Sequence, residues 1–255
     1  MTLELTVLGS AGSHTGVGRM CSGYLVEVED IRLLLDAGNG STGNLQRFLA
    51  VRDLDAIVIS HRHVDHCIDL VGCYYNLRFD PAATSRMPLY AAAEVHRTLT
   101  ELLSGDSPVS FDDVYDHTEV AHGDRVTVGP VALSFARSRH PVPTVSTRIE
   151  VAGATLVYSG DSAGGPELVE IARGADLLLC EATWAGDPGD YPPDIHLTGA
   201  QAGAVAREAG VGRLVLTHIA GGTDRDAVLR EARDAFHGPV ELAEDLARYR
   251  IGAGG

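Results

Sequence analysis

Four metal-binding side chains fall within six residues, in His61-Arg62-His63-Val64-Asp65-His66. They come directly after Ala56-Ile57-Val58-Ile59, an apolar run that reads as a buried strand. This pairing constrains the fold. A strand has to deliver the cluster, on a loop at its C-terminal end, to the sheet edge where α/β proteins build their sites. Any further ligands have to reach the same edge from other parts of the chain. Imidazoles and carboxylates in one cluster suit zinc and similar first-row metals.

Three candidates stand downstream. His140 lies in Ser138-Arg139-His140-Pro141, Asp161 in Tyr158-Ser159-Gly160-Asp161, and His218 in Leu214-Val215-Leu216-Thr217-His218. Asp161 and His218 follow apolar strand-like runs directly, and His140 follows Leu133 to Phe135 after a short gap. Taken singly, each has a plain structural role; Asp161, for example, reads equally well as a helix N-cap. Their shared placement at strand ends is what makes them ligand candidates.

Strand-like runs recur in two blocks. The first holds Leu3 to Leu8, Gly23 to Glu27, Ile31 to Leu35 and Ala56 to Ser60. The second holds Asp124 to Val128, Val131 to Phe135, Thr144 to Val151 and Thr155 to Tyr158, completed by Leu177 to Cys180 and Leu214 to Leu216. Helical patterns cover Asn44 to Ala50, Cys67 to Phe79, Ala92 to Leu103, Pro166 to Ala172, Gly199 to Glu208 and Asp224 to Phe236. No linker or tandem repeat divides the chain, so residues 1–255 read as one domain. Two β-rich blocks, each followed by helices, predict a sandwich of two sheets with helices outside. The segment from Ser104 to Gly123, with Pro108, Phe111, Tyr115, His117 and His122, is less regular and reads as a lid or an edge elaboration.

The formal net charge is −15, and every basic residue is arginine. Such a surface repels a large polyanion on average. No apolar run approaches the roughly 20 residues needed to cross a bilayer, and the N-terminus reads as a first strand instead of a signal peptide. A cytoplasmic, membrane-free protein is therefore expected. Cys21, Cys67, Cys73 and Cys180 form no CxxC pair and read as free thiols. Cys67, next to the cluster, reads as a helix-packing residue.

With these residues in place, the sequence resembles the metallo-β-lactamase fold superfamily, whose signature HxHxDH is followed by separate His, Asp and His motifs. The resemblance implies an α+β fold, a four-layer αββα sandwich with metals at one edge. It implies that His61, His63 and His140 hold one divalent metal, that Asp65, His66 and His218 hold another, and that Asp161 bridges them. Zinc is the expected ion, with manganese and iron as alternatives. Asp36, in Leu33-Leu34-Leu35-Asp36, matches an aspartate that supports the site from outside. Two such cations roughly 3.5–4 Å apart can share a hydroxide and steady both the attacking and the leaving oxygen.

Within the superfamily the chain looks most like the ribonuclease Z-like branch, and there like actinobacterial cyclic-nucleotide phosphodiesterases. Leu8-Gly9-Ser10-Ala11-Gly12-Ser13 is similar to that branch's glycine-rich first turn, where glycines can let a phosphate approach. Cys180-Glu181-Ala182-Thr183-Trp184 is similar to its HEAT-type motif, with Cys180 in place of the histidine. Asp194-Ile195-His196-Leu197-Thr198 matches the motif whose histidine protonates the leaving group. The resemblance thus implies His196 and Asp65 as catalytic residues, with Glu181 as a candidate to orient His196. Trp184, Tyr191, Pro192 and Pro193 are candidates to line a pocket, as are Tyr74, Tyr75 and Arg78.

Transfer RNA-processing members carry a long arm between the third-motif histidine and the bridging aspartate. Here that interval is 21 residues (161 − 140) and reads as strand. A small phosphodiester is therefore expected as substrate, and tRNA is not. Thioester, lactone and sulfate-ester hydrolysis are the alternatives, with tRNA 3′ processing behind them. Homodimer assembly is a further expectation of the branch.

Overall fold

The computed structural model describes residues 2–103 and 110–252. Its central strands carry apolar residues at consecutive positions because both of their faces are covered. In β4 (Ile31–Ala37), Leu33 and Leu35 enter one core cluster and Leu34 enters another. In β12 (Leu177–Glu181), Leu177 and Leu179 share that first cluster, whereas Leu178 and Cys180 enter a third. The period-two alternation of a strand thus sorts one apolar run into two layers.

The first sheet runs in the order β16 (Arg248–Ile251), β1 (Leu3–Gly9), β3 (Gly23–Val28), β4, β5 (Ala56–Ile59), β6 (Met87–Ala91) and β7 (Tyr115–Glu119). The second runs β15 (Val240–Leu242), β13 (Leu214–Thr217), β12, β11 (Ala154–Tyr158), β10 (Val145–Val151), β9 (Val131–Arg137) and β8 (Arg125–Val128). A short parallel pair, β2 (Ala11–Gly12) with β14 (Ile219–Ala220), stands apart.

Leu5, Val26 and Leu33 of the first sheet share the central cluster with Leu133, Ile149 and Leu156 of the second. Helices α1 (Ser41–Leu45), α3 (Asp69–Phe79), α4 (Val95–Leu102) and α5 (Phe111–Val114) cover the first sheet through Leu45, Leu70, Leu99 and Phe111. Helices α6 (Pro166–Ala172), α7 (Gly199–Ala209) and α8 (Arg225–Ala235) cover the second through Leu168, Ala202 and Val228. The layers are therefore α, β, β, α, as expected.

Both sheets are antiparallel on one side and parallel on the other. The strands β4 to β7 are mutually parallel, as are β11, β12, β13 and β15. Their C-terminal ends gather at one edge of each sheet, which is where α/β proteins place ligands.

Some boundaries differ from expectation. The first helix begins at Ser41, after Gly40 turns the chain at φ 86°, and not at Asn44. The metal-ligand cluster is only half on a loop: Asp65 and His66 lie in the helical turn α2 (Val64–Cys67), with α3 following. The strands β6, β7, β15 and β16 were not visible in the sequence pattern. Of the irregular segment, residues 110–119 form α5 and β7, an edge elaboration of the first sheet. Residues 104–109, with Pro108, lie outside the described residues.

Candidate functional site

Each candidate residue arrives at the end of a strand. His61 comes two positions after β5, and His63 caps α2 with extended backbone (φ −63°, ψ 142°). His140 lies between β9 and β10, Asp161 lies three residues beyond β11, and His218 sits between β13 and β14. His218 has φ 54°, a left-handed conformation that few non-glycine residues adopt. The glycine-rich first turn packs directly against this residue. A Cβ at Gly12 would stand 2.6 Å from the His218 carbonyl oxygen and 2.8 Å from its Nδ1.

All seven predicted metal ligands come together. His61, His63, His140 and Asp161 each offer one ligand atom within 4.8 Å of the others, and so do Asp65, His66 and His218. Asp161 stands between the two groups. Its Oδ2 lies 3.6 Å from His61 Nε2 and 3.9 Å from His140 Nε2, and its Oδ1 lies 3.1 Å from His66 Nε2 and 3.4 Å from His218 Nε2. Asp65 Oδ2 is 3.2 Å from His218 Nε2 and 3.6 Å from His66 Nε2.

These contacts fit cations better than protons. Among the described residues, the buried His66 Nε2 and Asp161 Oδ1 have no hydrogen-bond partner despite their 3.1 Å separation. Such orphaned atoms are costly unless something else satisfies them. Burial, reinforced by His66, pushes the His61 imidazole well below its ordinary value, and burial also lowers His63 and His140. The three are neutral near pH 7, with lone pairs to give. Burial opposes ionisation of Asp161, but His218, His66 and His61 outweigh it and hold the carboxyl well below its usual range. Asp65 is likewise lowered against burial, chiefly by its hydrogen bond with His218 and the charge of His66. Burial also opposes a charge on His66, yet Asp161 and Asp36 raise it well above the ordinary histidine value.

The outer nitrogens are held in turn. Asp36, fully buried, accepts from Ser60 N (2.7 Å), Ser60 Oγ (2.8 Å), Tyr158 OH (2.6 Å) and His66 Nδ1 (2.7 Å). Because the Ser60 hydroxyl donates to Asp36, it is left to accept from His61 Nδ1 at 3.0 Å. His140 Nδ1 donates to Ile195 O (3.0 Å). Thr183 Oγ1 donates to Glu181 Oε2 (2.9 Å) and accepts from His218 Nδ1 (2.9 Å). These partners fix tautomers that turn Nε2 of His61, His66, His140 and His218 inward, the pattern of outer residues that orient metal ligands. The sequence reading found Asp36 but missed Ser60, Thr183 and Tyr158. Only the fold brings Tyr158 across to Asp36, 122 residues away in sequence.

His196 stands at the rim. Its ring centre is 5.5 Å from that of His140 and 5.2 Å from that of His218, and its Nδ1 lies 3.9 Å from Asp161 Oδ2. The expected partner is in place, with His196 Nδ1 donating to Glu181 Oε1 at 2.9 Å. Glu181 is fully enclosed and also accepts from the backbone N–H groups of Ser162, Thr183 and Leu197. Burial pushes the His196 imidazole down, but the Glu181 carboxylate, helped by Asp161, raises it to about 9.

Beside His196 is a cavity of about 190 Å³ lined by Arg139, Trp184, Pro192, Pro193, Asp194 and Gln201, among others. A larger one, of about 770 Å³, shares the wall formed by Arg139, Pro193 and Asp194 and includes His140. The indole of Trp184 stacks on Tyr191 (4.4 Å between centres, 6° between planes) and meets the His196 ring edge-on at 5.1 Å. The residues expected on α3 do not line either cavity. Tyr74 is buried in the outer core of the first sheet, and Tyr75 stacks on the exposed Phe79. Arg78 lies over the Phe79 ring. The four cysteines are buried free thiols; Cys67 and Cys180 belong to hydrophobic clusters and to no ligand group.

Comparison with known proteins agrees with this geometry. Residues 31–219 match the family described as β-lactamase superfamily domain. An uncharacterized protein of Mycobacterium leprae is 39% identical over 261 residues, covering 99% of this chain and 90% of that one. The probable metallo-hydrolase YhfI of Bacillus subtilis is 30% identical over 95% of this chain and 97% of its own. Its crystal structure superposes with a TM-score of 0.86, covering 97% and 99% of the two chains at 26% identity. A ribonuclease Z of Myxococcus xanthus is 28% identical, covering 95% of this chain and 96% of that one. The chain belongs to the β-lactamase superfamily, as a metal-dependent hydrolase of metallo-β-lactamase fold with ribonuclease Z-like relatives.

Proposed function

We propose that this enzyme hydrolyses a small phosphodiester, such as a cyclic nucleotide, with two divalent ions, zinc in the first instance. His61, His63 and His140 would hold one ion, Asp65, His66 and His218 the other, and Asp161 both. When bound, such ions bring water to a pKa of about 7 and draw charge from phosphoryl oxygens. The chain supplies the rest. Ser13 N–H donates to Asp65 Oδ2 at 2.8 Å, which steadies the carboxylate that faces the reacting centre. His196, with Nδ1 committed to Glu181, carries its transferable proton on Nε2 and gives it to the departing alkoxide.

The observation that carries this reading is the Glu181–His196 pair at the rim of the ligand cluster. An alkoxide leaving group needs a proton, and an imidazolium held at about 9 has one near neutral pH. The ribonuclease Z relative, whose name denotes RNA cleavage, points to the same bond class. The interval between His140 and Asp161 is taken up by β10 and β11, which supports a small substrate over tRNA. The net charge of −15 supports it too. The protein is proposed to act in the cytoplasm, without a membrane partner, as one domain and as a homodimer; no described helix is long and apolar enough to cross a bilayer.

The test is a substrate panel with zinc- and manganese-loaded enzyme: bis-p-nitrophenyl phosphate, cyclic nucleotides, thioesters, lactones and sulfate esters. Phosphodiester turnover is expected, and its absence alongside thioester, lactone or sulfate-ester turnover would replace the reading. His196→Ala should lower phosphodiester turnover by on the order of 10²–10⁴-fold with metal content unchanged. Equal turnover in that variant removes His196 from the role of acid.

A further inference from the structure

We infer that the cavity of about 190 Å³ beside His196 is the leaving-group pocket, and that it takes a neutral planar aromatic ring of nucleobase class carried on the departing alcohol. This inference rests on the phosphodiesterase reading above. The group that protonates the leaving oxygen must stand next to it, so whatever remains attached to that oxygen lies on the His196 side of the metals. This cavity has His196 in its own wall.

The lining selects the ligand. Its apolar walls are Trp184 and prolines 188, 192 and 193. Apart from His196, its one cation is Arg139, which is ion-paired with Asp194, so no free positive charge remains for an anionic leaving group such as a phosphate. Gln201 accepts from Thr198 N through its carboxamide oxygen at 2.9 Å, which leaves Nε2 to donate to a ring acceptor. The size suits part of a ligand, since whole small-molecule sites are typically about 300–1,000 Å³.

The aromatic surface is already ordered. Tyr191 covers one face of the indole and donates its own OH to Ala185 O at 2.6 Å. Trp184 N donates to Leu197 O (3.1 Å) and Gly199 N donates to Trp184 O (3.1 Å), so the backbone at Trp184 is tied to the segment that carries His196. Stacking on such a fixed ring tolerates different bases, because every base presents a π-face.

Trp184 is the only tryptophan of the chain, so its fluorescence reads this pocket without any turnover. Titration of the metal-loaded protein with adenosine should give a saturable change, and methyl riboside, which lacks the ring, should give none. Ala163→Leu, which fills the lining, should abolish the adenosine response. No response to adenosine at millimolar concentration, or an unaltered response in Ala163→Leu, overturns the pocket. In kinetics, Trp184→Leu should raise KM for a phosphodiester with an aromatic leaving group by on the order of tenfold, and leave KM for a methyl leaving group nearly unchanged. Equal effects on both overturn the pocket and leave the phosphodiesterase reading intact. A fluorescence response without phosphodiester turnover does the reverse.

Discussion

His218 is held where its own backbone resists. A non-glycine residue at φ 54° is strained by on the order of 1–3 kcal/mol, and the strain persists only if the surroundings enforce it. Thr183 is the enforcer, because its hydroxyl accepts from His218 Nδ1 and also lies 3.0 Å from His218 O. With one proton to give, that hydroxyl favours the Glu181 carboxylate, the stronger acceptor. One buried glutamate therefore sets the tautomer of a candidate metal ligand through Thr183 and holds His196, the proposed proton donor, directly. Thr183→Val keeps the shape and removes the hydroxyl. Its metal affinity, read by chelator competition, should fall on the order of 10–100-fold, as for other outer-shell partners, and Thr183→Ser should restore it. Wild-type affinity in the valine variant would show that the tautomer is fixed by something else. Glu181→Gln tests the other arm. A general acid works while protonated, so with His196 in the proposed role activity is lost as pH rises through its pKa. Glu181 raises that pKa, so removing its charge should move the alkaline limb of the kcat profile to lower pH. A limb that stays in place would mean that another group sets it.

Elements buried on both faces were legible in the sequence, and edge elements were not. β4, β5, β12 and β13 each carry a run of three or four apolar residues because a helix layer and the opposite sheet both press on them. β7 lacks that signal: Tyr115 is its one buried residue, and Asp116, Thr118 and Glu119 face solvent. β6 contains Pro88, which argues against a strand when read locally. The ligands were legible for a related reason. One histidine or aspartate at a strand end has plain structural roles, but the set of them at successive strand ends shares one sheet edge, whereas Thr183 and Ser60 look like ordinary polar residues until the fold brings them to the candidate ligands. Legibility also failed at α7, where small residues read as a generic alanine-rich helix. In the structure they let α8 approach closely: a Cβ on Gly203 would stand 2.6 Å from Ala232 O and 2.8 Å from Ala235 Cβ. Gly203→Val should therefore destabilise the protein by about 1–3 kcal/mol through overpacking, seen as a lower denaturant midpoint with an unchanged slope. A midpoint equal to wild type would mean that the two helices separate at little cost.

At the scale of the molecule, the site is a seam. His61, His63, Asp65 and His66 follow a strand of the first sheet, and His140, Asp161 and His218 follow strands of the second. Neither sheet completes either ligand group alone, so cations bound there cross-link the two halves of the sandwich at one edge. Binding to the folded state alone adds stability by mass action, about 2.7 kcal/mol for one site at a hundredfold excess over Kd. For a chain of this size each kcal/mol moves Tm by roughly 2–4 °C. Stripping the metal with a chelator should thus lower Tm on the order of 5–10 °C, and adding zinc back should restore it. The loss should also be local. Amide exchange in the metal-free protein should rise first in the segments after β5, β11 and β13, while the central Leu5, Leu33 and Leu156 region stays protected, because its burial does not depend on the ions. If the stripped and reloaded proteins melt together, the ligand edge is already rigid without its ions, and the sandwich, not the metal, holds the seven side chains in register.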